Sequence, residues 1–99
     1  MSNKPYRLSP LAEADLEEIW LYTFSRWSTA QADSYIGDLV SAFKALAAGI
    51  KQGRPADVRP PYQKYLCGSH VIFFLDYPDR LDIIRVLHQR QDAESCLDE

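Results

Sequence analysis

The second half of the chain gathers side chains that can hold or move charge: Arg54, Arg59, Lys64, Tyr65, Arg85, His88 and Arg90. Attack of a ribose 2′-hydroxyl on its phosphodiester needs a base, cations for the charge that develops at phosphorus, and an acid for the leaving oxygen. His88 is the candidate base, Arg85 and Arg90 the candidate cations, and Arg54 and Tyr65 complete that catalytic set. The same residues also have a purely structural reading. The arginines can be solvated or paired with Asp76, Asp82 or a partner's carboxylates, and His88 can orient the segment after it through Asp92. Cys67, His70, His88 and Cys96 are chemically able to compose a four-ligand zinc set, but their spacing matches poorly with the paired short spacings of such sites. There is no phosphate-cradling glycine loop and no serine–histidine–aspartate grouping, and neither metal nor cofactor is expected. The reading taken from these residues is binding without catalysis.

Those side chains must be positioned by elements that the local pattern predicts. Lys4–Leu8 reads as a first strand, followed by Ser9-Pro10, where the serine can cap freed N–H groups and proline fixes φ at the first helical position. Ala12, Leu16, Ile19, Thr23 and Trp27 recur at helical spacing, which predicts a helix over Pro10–Arg26. Ser28-Thr29-Ala30-Gln31 has the form of a capping box and opens a second helix. Its stripe is Ala32, Tyr35 or Ile36, Leu39, Phe43, Leu46 and Ile50, with Gly49 as C-cap. So short a link makes the two helices an antiparallel hairpin. Lys51–Pro61 reads as a surface loop, and Tyr62–Cys67, His70–Tyr77 and Leu81–His88 as three strands. Gly68-Ser69 supplies a two-residue turn with glycine leading.

The predicted fold is α+β with the order β-α-α-β-β-β: an antiparallel sheet with the helical hairpin on one face, residues 1–99 forming one domain. Two cysteines are too few for a disulfide framework, no apolar run is long enough to span a membrane, and the N-terminus lacks a signal peptide's apolar core. A cytoplasmic protein is expected. The net charge of −3 divides into −3 for residues 1–43, +4 for 44–90 and −4 for 91–99. That weakly acidic total argues against nucleic acid as the main partner.

Val71-Ile72-Phe73-Phe74-Leu75 is apolar at every position, whereas a sheet wet on one face should alternate. One helical hairpin covers one face, so the other must be met by a loop, the C-terminal segment or a second chain, and a protein partner is expected. Trp20, Tyr22, Phe24 and Trp27 make the end of the first helix unusually aromatic. They cannot all share one stripe, which leaves Trp20 or Phe24 for another chain.

The ordered set of motifs resembles the ParE branch of the RelE/ParE toxins. Leu8-Ser9-Pro10-x-Ala12-x-x-Asp15-Leu16-x-x-Ile19 opens the first helix, and Gly53-Arg54-Pro55 follows the second. Arg59-Pro60 precedes the sheet, Gly68-Ser69-His70-Val71-Ile72 starts the central strand, and Ile84-Arg85-Val86-Leu87-His88-Gln89-Arg90-Gln91-Asp92 ends the last. The resemblance covers almost the whole chain. It implies the toxin of a type II toxin–antitoxin pair used in plasmid stabilisation, a cognate ParD-like antitoxin that folds onto it, and DNA gyrase as the target poisoned. The sister RelE branch is similar to ribosome-dependent mRNA endonucleases, which is the alternative that the catalytic set above would serve. With an antitoxin implied, its expected contacts are Arg54, Arg59, Arg85 and Arg90 together with Trp20 and Phe24.

Overall fold

The computed structural model describes residues 4–56 and 61–91. Strand β1 (Tyr6–Leu8) leads into α1 (Pro10–Arg26) and α2 (Thr29–Ala47). After these come β2 (Arg54–Pro55), β3 (Gln63–Cys67), β4 (His70–Asp76) and β5 (Leu81–His88). The five strands form one sheet in the order β1-β5-β4-β3-β2. Both helix starts follow from their caps. Ser9 Oγ accepts the N–H of Ala12 at 3.0 Å, and Ser28 Oγ accepts that of Gln31 at 3.0 Å.

The sheet is mixed, not antiparallel throughout as the sequence predicts. β1 runs parallel to β5, with Tyr6 opposite Leu81 and Leu8 opposite Ile83. A three-residue strand carries no pattern that would reveal a partner some seventy-five positions away. Ser9 locks the junction: its N–H donates to the Ile83 carbonyl at 3.0 Å and its hydroxyl to that of Ile84 at 2.7 Å. A second difference lies in the segment read as loop, where Arg54 and Pro55 pair with Lys64 and Gln63 as an edge strand. Proline is tolerated there because an outer strand can leave one side without an N–H donor.

The main core lies between the helices and one sheet face, where Ala12, Ile19, Leu39 and Phe43 meet Ile72, Phe74, Leu81, Ile83 and Val86. Two residues assigned to the helical stripes are exposed instead. Trp27 caps α1 with non-helical φ −129° and ψ −87° and is exposed, and Ile50 is exposed beyond the turn made by Gly49 at φ +78°. On the opposite sheet face Phe73 and Leu87 are buried with Ala56, with Tyr62, Val71 and Ile84 packed around them. The Ala56 N–H donates to the Tyr62 carbonyl at 2.9 Å and holds the ends of that segment together. Over Phe73 and Leu87 the second face is therefore covered by Ala56 and Tyr62, and their burial needs no second chain. Among the described residues no helix is long and apolar enough to cross a membrane.

The turns show why two motif glycines are glycines. Gly68 has φ +61°, and a Cβ there would come within 2.7 Å of the Tyr35 hydroxyl. At Gly53 a Cβ would meet the Phe74 ring at 2.5 Å and the Lys64 carbonyl at 2.9 Å.

Candidate functional site

The candidate residues separate into two concavities, one under α1 and one on the sheet face away from the helices. The first, about 470 Å³, is lined by Asp15, Glu18, Tyr22, Arg85, His88 and Gln91, with His70 at its base. Its two central charges, Asp15 and Arg85, are paired with each other. Asp15 accepts Arg85 Nε at 2.8 Å and Nη2 at 2.9 Å, and also the N–H of Val86 at 2.9 Å. A two-pronged pair of this kind, with both side chains largely buried, fixes α1 against β5 at the place where register shifts between Phe73 and Phe74.

The histidines are equally engaged. His70 and His88 face each other across β4 and β5, ring centroids 5.3 Å apart and edge to face. The Tyr35 hydroxyl lies 2.7 Å from His70 Nδ1, accepts the Ser69 N–H at 3.0 Å and reaches the Cys67 carbonyl at 3.4 Å. Burial lowers the His70 pKa, His88 lowers it further, and Asp15 opposes both. Burial raises the Tyr35 hydroxyl and the Cys67 thiol, so neither is disposed to ionise. His88 Nδ1 accepts the Arg90 N–H at 3.2 Å, which leaves the proton of the neutral ring on Nε2. In that tautomer His88 offers a donor to the pocket rather than the lone pair a general base uses. The His88 N–H donates to Gln91 Oε1 at 2.7 Å, closing the turn after β5.

The second concavity, about 500 Å³, is a groove lined by Gln52, Arg54, Lys64, Tyr65, Leu66 and Gln89. Lys64 pairs with Phe73 and Leu66 with Val71, which sets their side chains on the helix-free face. No carboxylate among the described residues pairs with Arg54 or Lys64. The Arg90 side chain is exposed and likewise without an ion pair among the described residues. Leu66 beside them is 57% exposed. This arrangement suits a ligand that brings both negative charge and an apolar side chain.

The residues grouped as a catalytic set are thus divided: Arg54 lines the outer groove and Arg85 and His88 the pocket under α1, while Tyr65, opposite Ile72, packs its side chain against the helix-side core. Trp20 and Phe24 are at neither place; they stack on the flank of α1, centroids 5.2 Å apart. Arg59 and Cys96 lie outside the described residues, so half of the proposed partner set at the loop and one of the four candidate zinc ligands have no geometry here. No trio of histidine, cysteine or acidic side chains within reach of one metal ion is found among the described residues. Sequence reasoning passed over Asp15 as a ligand of Arg85, although its place three residues after buried Ala12 and four before buried Ile19 puts it on the inner stripe. It also passed over Gln52 and Gln89, which carry no signal beyond their neighbours.

A mixed sheet backed by a helical hairpin makes an α+β fold, with one groove whose cations have no carboxylate partner among the described residues. Residues 6–93 match the family described as ParE toxin of type II toxin-antitoxin system, parDE. The chain is 44% identical over 94 residues to Toxin ParE1 of Mycobacterium tuberculosis, covering 93% of this chain and 96% of that one. It is 41% identical over 95 residues to Toxin ParE1 of Caulobacter vibrioides, covering 95% and 98%, and 33% identical over 94 residues to Toxin ParE of Escherichia coli, covering 93% and 91%. Among solved structures, the chromosomal ParDE TA system from P. aeruginosa has the same fold, with TM-score 0.76 at 20% identity over 87% of this chain and 96% of that one. The chain belongs to the ParE toxin family of type II toxin–antitoxin systems.

Proposed function

We propose that this ParE-family toxin acts by binding a protein target, DNA gyrase, and is neutralised in the cytoplasm by a cognate ParD-like antitoxin, without cleaving nucleic acid. The observation that carries the binding reading is the division of the candidate catalytic residues between two sheet faces. A phosphodiester reaction needs base and cations within hydrogen-bond reach of one scissile group. Here Arg85 is held by Asp15, and the His88 lone pair at Nδ1 faces a backbone N–H. The antitoxin contact proposed is the outer groove, where Arg54 and Lys64 await carboxylates and Leu66 an apolar side chain; Arg90 extends the basic edge. Gyrase enters from the family resemblance, and the parDE-type relatives support the antitoxin.

The test is induction of the toxin without antitoxin, followed by a supercoiling assay with purified gyrase and, in parallel, primer extension on mRNA from translating ribosomes. Growth arrest with inhibited supercoiling and intact transcripts is the expected result. Site-specific cuts in mRNA, abolished by His88→Ala, would overturn the reading.

A further inference from the structure

The antitoxin groove leaves unexplained an exposed aromatic flank on α1, and its surroundings carry the opposite charge. Trp20, Leu21 and Phe24 lie on one side of the helix, Leu21 three residues before Phe24 and Trp20 four before it, and Trp27 follows at the C-cap. Leu21 is 59% exposed, Phe24 46% and Trp27 73%. The patch is rigid. Trp20 stacks on Phe24 with the ring planes 10° apart, and its Nε1–H donates to Asp33 on α2 at 2.8 Å. At the helix end the Trp27 N–H donates to the Thr23 carbonyl at 2.8 Å.

Towards the start of α1 the same side continues into exposed Glu13 and Glu17, with exposed Glu18 beside them. The helix carries no basic residue before Arg26, whose guanidinium lies over the Tyr22 ring, 5.5 Å from its centroid. The flank is thus apolar and aromatic at one end and acidic at the other. Preorganised aromatic side chains are the type that dominate protein interfaces, because little rotamer freedom is lost when they are covered. An acidic antitoxin segment suited to Arg54 and Lys64 would be repelled here.

We propose that the Trp20–Trp27 flank of α1 is the docking surface for the toxin's protein target, and that it takes an apolar segment bordered by lysine or arginine side chains. This rests on the reading that the toxin acts by binding a protein, and it moves Trp20 and Phe24 from the antitoxin contact to the target contact. Target and antitoxin then occupy separate surfaces of the toxin with opposite charge, and neutralisation requires the bound antitoxin to block access to α1 or to remove the toxin from its target.

The experiment compares wild type with Leu21→Lys/Trp27→Lys, both at exposed positions, with circular dichroism to verify the fold. The readouts are growth arrest on induction, supercoiling by purified gyrase, and calorimetric titration with the antitoxin. The expected result is loss of arrest and about a tenfold or greater rise in the toxin concentration for half-inhibition, with antitoxin affinity within about twofold of wild type. Trp27→Gln alone carries the test if the double variant folds poorly. Arrest and inhibition at wild-type strength would overturn the proposal, as would an equal loss of antitoxin affinity, which would make the flank an antitoxin contact. Should wild-type toxin itself leave gyrase untouched, the gyrase reading fails, while the arrest readout still decides the role of α1.

Discussion

The pocket under α1 and the groove on the outer sheet face are built from similar residue types, yet they differ in what their charges are bound to. In the pocket, Asp15, Arg85, His70, His88 and Tyr35 are all engaged by one another or by backbone groups. In the groove, Arg54 and Lys64 have no carboxylate among the described residues. Cations matched within the chain hold the fold; Arg54 and Lys64, beside an exposed leucine and without a carboxylate among the described residues, are the ones the proposed reading gives to a partner. The comparison separates structural from interacting charges where residue type alone cannot.

The largest expected effect falls on the pocket. Asp15→Ala removes the carboxylate that accepts two N–H groups of Arg85 and leaves the Val86 N–H without that acceptor, and should cost about 3–5 kcal/mol of stability in urea denaturation. Asp15→Asn, which can still accept the Val86 N–H, should lose less. If Asp15→Ala were neutral, the pocket would not be the structural half of the comparison. Tyr35→Phe removes the acceptor of the Ser69 N–H and the partner of His70, with an expected loss of about 1–3 kcal/mol read in the same assay.

A smaller effect follows from pH. Burial holds the His70 pKa below its ordinary 6.5, so the unfolded chain takes up the proton first as pH falls. The contribution from neutral His70 is complete above about 6.5 and declines as pH drops from there through the folded-state pKa. His70→Asn, whose amide oxygen can replace Nδ1 as an acceptor, should flatten that part of the stability profile. An unchanged slope would remove His70 as its source.

The smallest effect on the fold is expected in the groove: Arg54→Glu/Lys64→Glu should change stability by no more than about 0.5 kcal/mol for each residue.

The helical hairpin and the β3–β4–β5 meander were legible because their determinants are local. Ser9, Pro10 and Ser28 set the helix starts, and Gly68 the tight turn between β3 and β4. What was not legible depends on distant parts of the chain. Parallel pairing of β1 with β5, and the bond from Asp15 to Arg85, join residues about seventy positions apart. The split of Arg54 from Arg85 and His88 depends on pairing register, which is broken between Phe73 and Phe74, so counting alternate residues along β5 misassigns faces. The inference that a bare sheet face calls for a partner reached an antitoxin, which the parDE family supports, through a premise that Ala56 and Tyr62 remove. Surface charge without a partner among the described residues is the sounder pointer.

Antitoxin affinity of the Arg54→Glu/Lys64→Glu toxin, measured against wild type by calorimetric titration at two salt concentrations, tests that pointer most directly. The expected result is a Kd at least about tenfold higher with a weaker dependence on salt, in a protein that remains folded. An unaltered Kd and an unaltered salt dependence would contradict it.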